Sequence, residues 1–173
     1  LGYQGLGEAY VLTGRLEDAR RTFEKLLTLN SQMSAGWYRL GLVLLVMGET
    51  DDALAAFEKD EDEEYRVKGR ALCAYTRGDQ DAFEKHLEEL RERWGDQWPS
   101  EIAHVYAWTG NPDAAFEWLD KAVAIDEGGI RESRQVMLLN PLHQDPRWQV
   151  YLERLGISDA QLANIRLEVK LPE

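Results

Sequence analysis

Three histidines, one cysteine and a surplus of carboxylates are the side chains of this sequence with the most chemistry to offer. His86, His104 and His143 share no metal-ligand spacing, and no His-Glu-x2-His segment or cysteine pair supports them. Cys73 is the only cysteine, so neither an intramolecular disulfide nor a cysteine zinc cluster can form. No Gly-x-Ser-x-Gly elbow, phosphate loop or dinucleotide glycine pattern occurs, and Gly5-Leu6-Gly7 has no strand before it. Neighbouring carboxylates such as Glu88 and Glu89 diverge on a helix and suit solvated surface. The run Asp60-Glu61-Asp62-Glu63-Glu64 fits a helix start, where negative charge meets the positive end of the dipole. No nucleophile, base and orienting group can be assembled from these residues. The expectation is a chain that is not an enzyme, with no catalytic residues, no metal and no cofactor. What remains is recognition chemistry: tyrosines and tryptophans, each with an apolar body and a polar edge, are common anchors at interfaces.

Composition sets the frame for that chemistry. The chain has 173 residues, of which 44% are hydrophobic and 30% charged, which is a folded rather than a disordered composition. Lys and Arg number 20 against 32 Asp and Glu, for a net charge of −12. That balance argues against nucleic acid and anionic membranes as partners, since both reward dense basic residues. The longest apolar run, Leu40 to Gly48, is about half of the roughly 20 residues that a membrane-spanning helix needs. A lone cysteine fits a cytoplasmic location. Residue 1 is Leu and no signal-like start precedes it, which suggests a piece of a longer chain.

The elements that must position these side chains are repeated. Tyr3-x2-Leu6-Gly7-x2-Tyr10, then Gly14, then Ala19-x3-Phe23 returns 34 residues later as Trp37-x2-Leu40-Gly41-x2-Leu44, Gly48 and Ala53-x3-Phe57. Fainter copies follow Gly78 and Gly110. All four glycines lie ahead of an Asp-Ala pair: Asp18-Ala19, Asp52-Ala53, Asp81-Ala82 and Asp113-Ala114. Each unit reads as two antiparallel helices, with glycine as the left-handed cap of the first. The predicted helices are 2–13, 16–29, 34–47, 50–60, 62–76, 79–93, 98–109 and 112–125. Tyr3, Trp37, Phe23 and Phe57 are expected to fill gaps between helices. In the third unit, a register anchored on Gly78 buries Phe83, Leu87 and Leu90, whereas one anchored on Asp-Ala would bury His86; the first agrees with Ala115, Leu119 and Ala122 in the fourth. After Ile125 the period fails. A short helix between Arg131 and Leu139, a helix from Asp145-Pro146 to Leu155 closed by Gly156, and a last helix over 158–168 behind a Ser158/Gln161 capping box are expected.

The spacing of Trp, Leu-Gly, Tyr, Ala and Phe in the first two units resembles the tetratricopeptide repeat family. The likeness extends over about residues 1–125, in units of about 1–33, 34–61, 62–95 and 96–125, and leaves 126–173 as a linker with capping helices. There are departures: Ser31 stands where the family has a proline, Asp60 where a small apolar residue is usual, and Arg70-Ala71 in place of Leu-Gly. The resemblance implies an all-α fold, a right-handed superhelical stack of about four helix hairpins. The tail from Leu139-Asn140-Pro141 to Ile157 is similar to the segment that ends the repeat regions of many bacterial signalling proteins. That likeness implies a bacterial origin and an effector domain N-terminal to this chain.

The family resemblance further implies a non-catalytic interaction module in which the first helices line a concave groove for a peptide or partner protein. Helical phase projects twelve residues onto that face: Gln4, Glu8, Tyr38, Arg39, Leu42, Tyr65, Lys68, Leu72, Tyr75, Glu101, His104 and Trp108. Arg39 and Lys68 are the only basic residues among them. They fall short of the carboxylate clamp found in chaperone-tail binders of the family, yet would bias the groove toward ligands with a local carboxylate. Trp118 and Trp148 are expected between helices, and Trp98 at the start of one. A second possibility is self-association into a homo-oligomer through the repeat edge that carries Leu1, Tyr3 and Leu6.

Overall fold

Glycine punctuates the chain, and the same hydrogen bond recurs at each stop. Gly14, Gly48, Gly78 and Gly110 have φ of 71°, 85°, 74° and 72°, a region that side chains with a Cβ rarely adopt. Each left-handed turn directs the next amide back to a carbonyl five residues earlier: Arg15 to Tyr10 at 2.8 Å, Glu49 to Leu44 at 2.9 Å, Asp79 to Ala74 at 3.0 Å and Asn111 to Tyr106 at 2.9 Å. The predicted caps are therefore where the spacing put them.

The structure, a computed structural model, describes residues 2–164. Eight helices form four hairpins: α1 (Tyr3–Leu12) with α2 (Leu16–Leu29), α3 (Gly36–Val46) with α4 (Thr50–Phe57), α5 (Glu63–Arg77) with α6 (Gln80–Trp94), and α7 (Pro99–Trp108) with α8 (Pro112–Ala124). No strand occurs among the described residues. Each second helix packs on the first helix of the next hairpin, and α5 also touches both α3 and α7. No helix among the described residues is long and apolar enough to cross a membrane.

The second helices bury the face that their period requires. Phe83, Leu87 and Leu90 are buried while His86 is half-exposed, which settles the register of the third unit in favour of the Gly78 anchor. Ala115, Leu119 and Ala122 are fully buried on α8. Asp79 and Asn111 cap α6 and α8, accepting the amides of Ala82 at 3.1 Å and Ala114 at 3.2 Å.

Close approach of helices is carried by rings set against glycines. A Cβ at Gly7 would stand 2.7 Å from the ring of Phe23, and one at Gly41 would stand 2.5 Å from that of Phe57. Gly69 on α5 meets the other side of Phe57 more closely still. Phe57 thus fills the space between α3 and α5 and is fully buried. Two expected gap fillers differ: Tyr3 is 42% exposed, and Trp37 is half-buried, its indole Nε1 donating to Ser31 O at 2.9 Å with Lys59 above the ring. The rim position of Trp37 lets its amphipathic ring stay wet on one edge.

Beyond α8 the chain forms two 3-10 helices, Ile130–Gln135 and Met137–Leu142, then α9 (Pro146–Arg154) and α10 (Asp159–Ala163). The second 3-10 segment packs along α7. Arg147 and Arg154 of α9 pair with Asp113 and Asp120 of α8, both at a separation of 34 residues, so α9 follows α8 at the repeat period. Leu139, Leu142, Trp148, Tyr151 and Leu152 are buried against α7 and α8 in a second core, with Trp118 and Tyr106 bridging to the first. Both halves of the Ser158/Gln161 capping box are formed; the expected extension over 165–168 lies outside the described residues.

Replacing Phe57 by Ala is expected to cost about 3–5 kcal/mol, because a fully enclosed ring is removed from between two glycines. Gly69→Ala should cost about 1–3 kcal/mol by overpacking the same contact. Denaturant melts of both variants, with Trp37→Ala as the milder comparison, check this; a Trp37→Ala loss as large as that of Phe57→Ala would contradict it.

Candidate functional site

Helices α1, α3, α5 and α7 present one side chain after another to a shared concavity, because each first helix turns the face opposite its own hairpin partner inward. A cavity of about 320 Å3 lies there. Eight of the twelve projected residues line it: Glu8, Tyr38, Arg39, Leu42, Tyr65, Lys68, Glu101 and His104. The other four do not. Leu72 is a correction: it is fully buried in the core, because α6 and α7 both close over the middle of α5. Gln4 lies beyond the cavity and donates to Glu8 at 3.2 Å. Tyr75 and Trp108 tie the third and fourth hairpins together. The Tyr75 hydroxyl donates to Thr109 O at 2.9 Å and its ring packs on Phe83, while the Trp108 indole reaches the Thr76 hydroxyl at 3.4 Å.

The tail supplies the wall that helical phase did not reveal. Glu132, Gln135 and Met137 from the 3-10 segments and Val136, which joins them, line the cavity beside Val11 and Leu12 of α1. Since those segments have no periodic signature, no sequence signal places them in the groove.

On the floor is a buried polar cluster. Lys68 is 1% exposed, forms an ion pair with Glu101, and has its Nζ 4.4 Å from the centre of the Tyr38 ring. Tyr38 in turn stacks on Tyr65 with centroids 4.5 Å apart. The Nδ1 atom of His104 lies 3.4 Å from Glu101 Oε2. Burial pushes the Lys68 ammonium below its usual value, against the pull of Glu64 and Glu127. Burial likewise drives His104 well below the ordinary histidine range, with Lys68 adding to the shift and Glu127 opposing it. The Tyr38 hydroxyl is pushed up by the same desolvation. The expected ligand bias from Lys68 is therefore corrected: its charge faces Glu101, not solvent, because neighbouring helices and the tail enclose it. Arg39 is also engaged, its Nε 3.0 Å from Glu8.

Two buried carboxylates hold the first helices in place. Neither α3 nor α7 has a side-chain cap of its own. Asp60, 3% exposed beyond the end of α4, accepts the Tyr38 amide at 2.9 Å in the first turn of α3. Glu127, at the corresponding place beyond α8, accepts the Ser100 amide at 2.9 Å and the Ser100 hydroxyl in the first turn of α7. An acceptor there satisfies an orphan amide and meets the positive end of the helix dipole. The departure from the family pattern at Asp60 is thus a capping device, whereas Glu127 carries no comparable signal.

The buried histidine makes stability depend on pH. His104, with its lowered folded-state pKa, stays neutral when the unfolded chain protonates near pH ~6.5, so its contribution is complete above that value and is lost as pH falls below it. His86 and His143, also lowered by burial, act in the same direction. Chemical denaturation at pH 7 and at about pH 5.5 should show wild-type stability falling and His104→Gln falling less. Equal losses would remove His104 from the account.

The family model described as tetratricopeptide repeat matches residues 5–65, the stretch that holds most of α1, all of α2 to α4 and the start of α5. Among curated proteins, none matches the chain. Tetratricopeptide repeats mediate protein–protein interaction and are non-catalytic scaffolds. The first two hairpins, their left-handed glycines Gly14 and Gly48 and the contacts of Phe23 with Gly7 and of Phe57 with Gly41 fall inside the matched stretch, so residues 5–65 are similar to tetratricopeptide repeats in both sequence and structure.

Proposed function

We propose that the concave groove binds a peptide or a segment of a partner protein, without catalysis. The observation that carries this reading is the convergence of residues from four separate first helices, as far apart in sequence as Glu8 and His104, on one cavity. Its walls combine apolar side chains (Val11, Leu12, Leu42, Val136 and Met137) with the polar edges of Tyr65 and Arg39. A few anchoring pockets of this kind commonly carry most of a binding energy.

Self-association is the alternative that a specific observation favours. Tyr3 and Leu6 on α1 are 42% and 41% exposed, two large apolar side chains one helical turn apart.

Leu42→Glu places a charge in the apolar wall and is expected to weaken partner binding at least about tenfold. Glu84→Gln, on the exposed face of α6, should leave it unchanged. Binding that survives Leu42→Glu but fails on changes to α6 would move the site to the opposite face. Light scattering across a concentration series separates the alternative, since a mass rising with concentration and abolished by Leu6→Glu would favour self-association.

A further inference from the structure

The groove continues past the first cavity into a second, of about 760 Å3, and Arg39, Tyr65, Glu101, His104, Glu132 and Val136 line both. The two ends differ in chemistry. The first is walled by Val11, Leu12, Leu42 and Met137. The second is walled by Trp94 and Trp98 and by six carboxylates, against the two guanidinium groups of Arg39 and Arg93.

The basic groups near this end are already matched. Arg39 is 3.0 Å from Glu8, Arg93 is 2.9 Å from Glu63, and Lys68 is on Glu101. Glu127 is held by Ser100. Three carboxylates are left over: Asp62, Glu64 and Glu132 have no cationic partner within 4.0 Å among the described residues. The Asp62 carboxylate accepts the Ser34 hydroxyl at 3.2 Å, while its own backbone amide donates to Asp60 Oδ1 at 3.2 Å. Glu64 is half-buried, and desolvation holds its carboxyl above the usual range in spite of Lys68. The side chain of His104 is 8% exposed, lines both cavities and makes no hydrogen bond among the described residues. As a neutral ring it has an acceptor nitrogen to offer. The unmatched groups of this end are thus acceptors and anions, framed by the Trp98 ring, an aromatic face of the kind that attracts cations, and by the Trp94 ring, over which Arg93 already lies at 4.2 Å.

We propose that the groove takes a short basic segment of a partner protein, with a Lys or Arg side chain in the end lined by Asp62, Glu64, Glu132, Trp94 and Trp98 and a neighbouring apolar side chain between Leu12, Leu42 and Met137. This rests on the reading of the groove as the binding site and adds the chemistry of the occupant. A cation arriving at Glu64 restores the solvation that burial removed, and the net charge of −12 steers basic segments toward the molecule.

The test uses the whole chain and short fluorescein-labelled synthetic peptides of alternating Leu and Lys, Leu and Glu, Leu and Ser, or Ser and Lys. Anisotropy is read at about 0.15 M salt, where long-range attraction is screened. The Leu–Lys peptide should bind at least about tenfold more tightly than the other three. The pair Glu64→Gln with Glu132→Gln should weaken it about tenfold, and the pair Glu84→Gln with Glu88→Gln on exposed α6 should not. Circular dichroism of each variant confirms its helix content, and Glu132→Gln alone, at an exposed position, keeps the test valid if the double variant unfolds. Equal weakening by the α6 pair would reduce the effect to general attraction and overturn the proposal, as would absence of Leu–Lys binding. If Leu–Glu or Leu–Ser binds instead and Leu42→Glu abolishes it, the groove reading stands and the basic occupant falls. If binding of any of these peptides is indifferent to Leu42→Glu, both fall.

Discussion

A phenyl ring wedged between two glycines is the contact on which the arrangement of this array depends. Phe57 leaves the end of α4 and enters the space between Gly41 of α3 and Gly69 of α5, and no atom beyond Cα fits at either glycine without displacing it. The ring therefore sets how closely the second and third hairpins approach. Because α3 and α5 both bring side chains to the groove, that spacing also sets the distance between its walls. The stacking of Tyr38 on Tyr65 across the same two helices is a direct consequence of this approach. Phe23 against Gly7 repeats the intra-hairpin half of the contact in the first unit.

Charge is distributed through the array by the same geometry. Where a second helix ends, its exit turn passes the start of its own first helix, so an acidic residue in that turn can cap the partner helix. Asp60 and Glu127 both do this, and each is buried by doing so. Such carboxylates are hydrogen-bonded to amides and serve structure. The acidic side chains thus include capping groups, groups paired with arginine on the surface, carboxylates on exposed helix faces such as Glu84, and Asp62, Glu64 and Glu132, which line the groove. Exposed pairs such as Arg91 with Glu88 contribute little to stability, typically about 0–1 kcal/mol.

The polar floor of the groove shows why charge alone is a poor guide to binding. Lys68 presents its ammonium to Glu101 and to the ring of Tyr38, and its enclosure leaves none of that charge for a ligand to meet. Breaking such a buried pair from one side costs about 3–5 kcal/mol, so the cluster of Lys68, Glu101 and His104 acts first as a support for the groove. The residues around it that keep an exposed edge include Arg39, Leu42, Tyr65 and Glu132.

Local spacing was enough to reveal the hairpins. The 34-residue period, the glycines ahead of each Asp-Ala pair and the apolar phase of α2, α6 and α8 are properties of neighbouring residues, and a helix converts them directly into caps and faces. The same phase selected the inner side of the first helices, which is why eight of the twelve projected residues line one cavity. Phase says which way a side chain points and nothing about how much is later laid over it. Leu72 and Lys68 point as their positions require, yet Leu72 is sealed into the core and Lys68 is enclosed beneath the groove. Tyr75 and Trp108 spend their polar edges on residues 34 and 32 positions away. The capping role of Glu127 and the groove wall from Glu132 to Met137 depend on contacts between segments far apart in the chain, and the 3-10 turns that deliver them have no sequence period. What the chain alone determined is the repeating unit; burial, pairing and the closed side of the groove were decided only when successive units came into contact.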